Sequence, residues 1–419
     1  MTEWKRQRKI GEHIGAGADR GCTNRMGSIA FRGRLDRRRL LVSGAGVAAG
    51  AAALVSVGCG DDTAKTPTPT PVVDQSTPVP QRKAGGVLRT LAGPVGPLPD
   101  PHQTKTASES LMWQWAGNLL VRFSRDAPYA IEADLAQALP EISADGLTLT
   151  FRIRPEAKWQ NRAPVNARLV TSEDVKTSFE RIKALGVKSP RAGNYTNVDS
   201  INTPDPQTVQ FKLKSPQPDL LSAMADQYDI VLPTELSARG DTAIKEIGDV
   251  IGSGPYELQA YEPGRKITMA RRADGYWRPG TAWLDEWHLL DLRDLGQEAN
   301  VLLGQQGEFA ELPPSLARVF DGRDGFEVLR TPSAARECVL IHHTAAKWKD
   351  PRVRLAASRA IDRRAVYAAM VESEGVPGGP MAAAAKEWAL SDSELETLPG
   401  YGKDRSTELA EAKKLMTSA

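Results

Sequence analysis

Residues 145–181 read DGLTLTFRIRPEAKWQNRAPVNARLVTSEDVKTSFER. The stretch begins by alternating. Leu147, Leu149, Phe151 and Ile153 fall on one side, with Thr and Arg on the other, which is the period of a half-buried strand. Asp145-Gly146 just ahead is a turn pair. The period then changes. Thr171-Ser172-Glu173-Asp174 is a helix start, and Val175, Phe179 and Ile182 follow at helical spacing. A strand, a connector and an amphipathic helix in succession predict an α/β protein.

The same two signals recur outward from this stretch. Thr208–Lys214 (TVQFKLK) alternates again through Val209, Phe211 and Leu213. Glu257–Tyr261 and Lys266–Met269 read as shorter strands. Between them and the helix lies Gly252-Ser253-Gly254-Pro255, whose glycines allow a turn feeding a strand. Asp350-Pro351 starts another helix, with Pro at its first position and Val353, Ala357, Ala360 and Ile361 on one face. Asp362 caps a further helix carrying Val366, Ala369 and Met370.

The amino-terminal region is organised differently. Leu40–Gly58 (LLVSGAGVAAGAAALVSVG) carries no charge, follows Arg37-Arg38-Arg39 and ends at Cys59. A basic region, an apolar run and small residues before a cleavage point make an export signal. Cys59 is then the lipidated first residue of the mature protein, although Ser56 stands where such signals usually place Leu. A membrane-spanning helix is the competing reading; the length of the run is marginal for a span, and Ala and Gly dominate it. Arg37-Arg38-Arg39-Leu40-Leu41 fits a twin-arginine signal and an ordinary basic n-region equally. Met26 opens a better-proportioned signal, so residues 1–25 read as a start-site artefact within the 1–58 leader. Residues 59–86, rich in Pro and Thr, form an extended linker.

Without residues 1–58 the chain holds 43 basic and 48 acidic residues, a net charge of −5 (54 and 52 in the whole chain, less 11 and 4). That balance and the absence of a recognition motif speak against a nucleic-acid partner. Cys22 leaves with the leader, and Cys338, in the apolar string CVLI, reads as a buried strand cysteine. No phosphate loop, zinc spacing or serine elbow is present. His342-His343 are adjacent and would point to opposite faces of a strand, so no metal site is expected there, and no cofactor is expected.

An ordered series of segments carries a family resemblance. It runs Leu98-Pro99-Asp100-Pro101-His102; Asp145–Arg154 leading to Ala157-Lys158-Trp159; Ala163-Pro164-Val165-Asn166-Ala167 leading into Thr171–Arg181; Ile251–Leu258; Tyr261-Glu262-Pro263-Gly264; Gly275-Tyr276-Trp277; Asp350–Ala356; and Ala360-Ile361-Asp362-Arg363. In this order these segments resemble the extracytoplasmic solute-binding proteins of the peptide/nickel/oligopeptide ABC-transporter family (family 5), from about Val87 to the end.

The resemblance implies a two-lobed clamshell of the type II periplasmic-binding-protein kind with an extra subdomain. Residues 87–290 would form lobe I with the inserted subdomain, and 291–419 a partial lobe II, since the family normally continues beyond this chain's end. A peptide or other small solute would bind in the inter-lobe cleft and pass to an ABC permease and its ATPase, with no chemistry on the way. The protein would be extracytoplasmic, membrane-anchored through Cys59. Ligand-facing candidates are Gly93, Pro94 and Val95 in the loop after the first strand, Tyr195, and Trp113 and Trp388, with Trp115 alongside. The alternatives are a truncated, non-transporting surface lipoprotein or scaffold, and a hydrolase using Cys338 with His342 or His343.

Overall fold

A mixed seven-stranded sheet and an antiparallel four-stranded sheet organise the chain, here in a computed structural model. The structure describes residues 28–31, 83–93, 95–105, 107–124, 130–330, 338–371, 378–382 and 389–419. The chain divides into two units, Met1–Arg32 with Ala84–Ala419, and Gly33–Lys83. Every element below belongs to the first.

The strands are β1 (Ser28–Phe31), β2 (Val87–Ala92), β3 (Val121–Phe123), β4 (Ile131–Ala133), β5 (Glu141–Ile142), β6 (Thr148–Arg152), β7 (Val198–Asp205), β8 (Thr208–Leu213), β9 (Tyr256–Glu262), β10 (Lys266–Arg271), β11 (Glu286–Asp291), β12 (Phe309–Glu311) and β13 (Phe326–Leu329). The longer helices are α1 (Ala107–Ala116), α2 (Ser172–Leu185), α3 (Leu295–Leu303), α4 (Pro351–Ala360), α5 (Arg363–Val371) and α6 (Arg405–Ser418).

The large sheet has the order β13-β1-β12-β2-β11-β10-β9. β2 is parallel to both of its neighbours, β11 and β12. The remaining pairs are antiparallel. The boundary expected at 290/291 falls inside this sheet, because β12 and β13 are hydrogen-bonded members of it. Between β2 and β9 the chain leaves the sheet and builds the four-stranded β5-β6-β8-β7 sheet, the extra subdomain.

The stretch 145–181 folds as its pattern predicts. Leu149, Phe151 and Ile153 are buried, and so are Val175, Phe179 and Ile182 of α2. The helix lies on the small sheet with Phe179 edge-on to Phe211 at 5.2 Å, and Phe211 of β8 in turn meets Phe151 of β6 edge-on at 5.8 Å between centroids. Asp174 fastens its first turn. The carboxylate accepts from Thr171 N at 2.9 Å, Thr234 N at 2.9 Å, and Arg168 at 2.7 and 2.8 Å.

One continuous core joins the subdomain to the β9–β11 side of the large sheet. Trp115 of α1 stacks on Trp287 of β11 at 4.8 Å, 5° from parallel, and meets Tyr256 of β9 edge-on. The helix comes this close because Gly252 and Gly254 carry no side chain. A Cβ on Gly252 would lie 1.8 Å from Ala116 O. A second, smaller core (Leu91, Ala299, Leu302, Ala310, Leu312, Ala317 and Phe320) packs α3 and the 314–320 turns on the other face of β2 and β12.

Three local expectations are corrected. Cys338 is exposed and outside any strand. An apolar tetrad makes a strand only where a neighbouring strand pairs with it, and none does so here among the described residues. In α4 the buried residue is Ala356, whereas Ala360 is exposed. In α5, Val366 and Ala369 are exposed. Helical spacing was read correctly there; the neighbour that would cover the face was not in the pattern.

Candidate functional site

The topology singles out one place for a ligand. From β2 the chain eventually enters β11 on one side, then crosses through α3 to β12 on the other. Where neighbouring parallel strands connect in opposite directions, a crevice opens beyond their carboxyl ends. Here those ends are Ala92, Asp291 and Glu311, with the start of α3 close by in sequence at Leu295.

The loop leaving β2 at these strand ends is fastened by groups from distant segments. Val95 N donates to Asp291 Oδ2 at 2.8 Å, and Gly264 N donates to Val95 O at 2.8 Å. The Tyr261 hydroxyl reaches Gly96 O at 3.1 Å and Pro97 O at 3.0 Å. The Asp291 side chain is wholly buried, and its other oxygen, Oδ1, accepts no hydrogen bond from the described residues; Arg293 Nε stands 3.9 Å away. A Cβ at Gly93 would lie 3.0 Å from that Oδ1 and 3.0 Å from Leu292 O. Glycine is what allows the loop to pass so close to the carboxylate.

Of the expected ligand-facing residues, Gly93 and Val95 therefore sit in the loop at the crevice. Val95 points into the core, and its N–H and C=O are both bonded within the protein. Pro94, Trp388 and the lipidation candidate Cys59 lie outside the described residues. Trp113 is fully buried, with Nε1 donating to Pro99 O at 2.8 Å. Tyr195 is fully buried and donates to Asp229 Oδ2. Both are spoken for inside the protein, and neither lines the crevice. Trp115 is occupied by its stacking on Trp287. Asp291 was not singled out in the sequence. Its partner Val95 is 196 residues away, a pairing no local pattern encodes. Tyr261 and Gly264 were visible as a motif, but not as the clamp of this loop.

Two buried polar networks brace the insertion. Arg181 donates to both Asp100 oxygens and, at 2.7 Å, to His102 Nδ1. Since Arg181 can only donate, Nδ1 accepts and Nε2 carries the proton given to Ile230 O at 2.8 Å. Burial, reinforced by the Arg181 charge, holds His102 neutral by lowering its pKa to about 4. The second network centres on Asp229. Burial raises its pKa to about 7, the Asp226 carboxylate adds to the rise, and the bond from Tyr195 offsets part of it.

Neither network resembles a catalytic apparatus. Cys338 has no hydrogen bond to His342 or His343 among the described residues; His342 Nδ1 instead meets Thr344 Oγ1 at 2.8 Å. No group of three or more His, Cys, Asp or Glu is placed to hold a metal among the described residues. Among those residues, too, no helix is long and apolar enough to cross a membrane; the run Leu40–Gly58 lies outside them.

Comparison with known proteins agrees with this architecture. Residues 130–419 match the family described as bacterial extracellular solute-binding proteins, family 5 Middle. The glutathione-binding protein GsiB of Shigella flexneri is 27% identical over 300 residues, which is 68% of this chain and 56% of that protein. GsiB of Escherichia coli strain K12 aligns equally, at 27%. The chain thus spans about half the length of the curated relatives it matches. Among solved structures, the periplasmic binding protein DppA from Helicobacter pylori in complex with the peptide STSA superposes with a TM-score of 0.65 at 21% identity, covering 81% of this chain and 67% of that one. NikZ from Campylobacter jejuni in complex with Ni(L-His) gives 0.65 at 20%, covering 81% and 63%. These likenesses establish the type II periplasmic-binding-protein fold. With the family match covering more than half of its residues, the chain belongs to the family 5 bacterial extracellular solute-binding proteins.

Proposed function

We propose that this protein is the receptor of an ABC importer, taking up a peptide or similar small solute at the crevice beyond β2, β11 and β12 and passing it to a membrane permease. The observation that carries the reading is the loop 93–97. It leaves β2 at the topological switch point, Asp291, Tyr261 and Gly264 hold it, and glycine at 93 lets it pass close to the Asp291 carboxylate. A fixed loop at the strand ends suits a ligand held largely through its backbone, as an extended peptide would be. Two of the relatives' ligands, glutathione and the peptide STSA, are of that class, while NikZ's is Ni(L-His). Gly93 and Pro94 are the proposed contacts; Val95, expected as a third, has its side chain in the core and its N–H and C=O bonded to Asp291 and Gly264. Export by the 1–58 leader and anchoring through Cys59 would place the receptor at the outer face of the membrane. The protein would act by binding alone.

Isothermal titration calorimetry against pools of di-, tri- and tetrapeptides tests the reading. Saturable heat from at least one pool is expected, and Gly93→Val should weaken that binding by roughly tenfold or more, about 1.4 kcal/mol. Silence from every pool, in a chain shown to be folded, would remove peptides as the ligand class.

A further inference from the structure

A groove of about 490 Å³ lies in the subdomain between α2 and the turns at Thr234–Ser237 and Gly240–Thr242. It shares no residue with loop 93–97 or with the strand ends at Ala92, Asp291 and Glu311. Its two walls are tied to each other. Arg181 Nε of the helix donates to Gly240 O at 2.7 Å, and Lys188, just past the helix, pairs with Asp241 Oδ2. Part of the lining is apolar, with Ala184 and Leu185 on the helix side and Ala238 on the other.

Both cations in this lining already have an anion. Arg181 is held by the Asp100 carboxylate, and Lys188 by Asp241. Glu180 differs: it lines the groove, is exposed, and makes no ion pair among the described residues. Asp241 keeps a second acceptor as well. Lys188 takes Oδ2, no described residue donates to Oδ1, and the bond from Lys188 lowers the carboxyl's pKa, so the group is ionised at neutral pH. Ser237 adds a hydroxyl. The residue is 5% exposed and its Oγ has no hydrogen-bond partner among the described residues, whereas buried hydroxyls normally have one. The last turn of α2, the negative end of its dipole, also lines the groove at Ala184 and Leu185. The result is a groove of excess negative charge, with an open carboxylate oxygen on each wall and apolar surface in the same lining.

We propose that this groove binds a linear aliphatic diamine, with one ammonium on Glu180, the other on Asp241 Oδ1, and the methylene chain against Ala184, Leu185 and Ala238. An ammonium has three donors and no acceptor, which matches a lining whose unpaired groups are carboxylate oxygens and a hydroxyl that can accept. A monoamine satisfies one wall only. A carboxylate-bearing solute meets like charge at Glu180 or Asp241, so amino acids and peptides are disfavoured here. The inference goes beyond the receptor reading and does not rest on it, because the groove is separate from the strand ends and its ligand binds whether or not they hold a solute.

Titration calorimetry of the full chain with diamines of three to six carbons, pentylamine and pentanol tests this. At least one diamine should bind saturably, pentylamine roughly tenfold more weakly or worse, and pentanol not at all. Glu180→Gln, at an exposed position, should weaken the best diamine by roughly tenfold, and Glu180→Asp by less, since it keeps the charge. Added salt should weaken the diamine in the wild type more than in Glu180→Gln. Amide hydrogen exchange with the diamine bound should slow at residues 237–242 and stay unchanged at 92–97. Three results overturn the proposal: no diamine binds, pentylamine binds as tightly as the diamines, or Glu180→Gln binds as well as wild type, which would put the amine elsewhere. Because peptide binding at the strand ends is read from separate titrations, failure of either site leaves the other standing.

Discussion

Asp229 shows how much a single buried group can set. It is 1% exposed, Tyr195 donates to one of its oxygens, and the other, Oδ1, has no partner among the described residues. With a folded pKa of about 7 against an ordinary value of 3.8, the folded protein keeps a proton that the unfolded chain releases between those limits. The resulting stability is complete below about pH 4 and is lost as pH rises through about 7. Asp229→Asn cannot ionise. Relative to wild type it should gain stability steadily between pH 5 and pH 8, on the scale of about 1.4 kcal/mol per unit of pKa difference, whatever constant offset the amide brings. Urea unfolding at the two pH values measures this, and parallel behaviour of the two proteins would refute it. His102 works in the opposite sense. Its depressed pKa means stability is lost as pH falls from about 6.5 towards 4, which bounds the acid side.

At the scale of an element, α2 is the best-specified part of the subdomain. Its apolar stripe and its start were both legible, because helical period and capping are local properties. The sequence did not reveal how many donors converge on Asp174. The group is buried, and burial alone would raise its pKa; the bonds from Arg168 and the backbone donations from Thr171 and Thr234 overcome that and lower it. Removing the carboxylate leaves a buried cluster of unmatched donors. Asp174→Ala should destabilise the protein by roughly 3–5 kcal/mol, and Asp174→Asn by less, since an amide oxygen still accepts. Denaturant titration followed by Trp159 fluorescence reports on this region, because Trp159 Nε1 also donates to Asp174. A cost under about 1 kcal/mol for the alanine variant would show that the cluster is not what holds the helix start.

For the whole molecule, the central relation is between a sheet and what interrupts it. The 93–255 excursion separates β2 from the strands it neighbours, so the crevice is built from segments about 200 residues apart. The proposed receptor would use those strand ends, and the proposed leader would supply its location. Cys59→Ala should move the protein from the membrane fraction to the soluble extracytoplasmic fraction and abolish incorporation of a radiolabelled fatty acid. Membrane retention without label in wild type would instead support an uncleaved apolar span.

The amino-acid sequence by itself determined the strands at 148–152 and 208–213, the helix starts at Thr171 and Asp350, and the order of motifs that marks the family. Each rests on contacts within a few residues, where period, caps and turns act directly on the backbone. Only the tertiary structure decided that Asp291 holds Val95, that Trp113 and Tyr195 are interior, that Cys338 and Val366 are exposed, and that Ser28–Phe31 closes a sheet. Burial and pairing at those positions depend on which distant segment arrives beside them. A chain's local pattern makes a residue fit to be buried, but only packing supplies the partner that buries it.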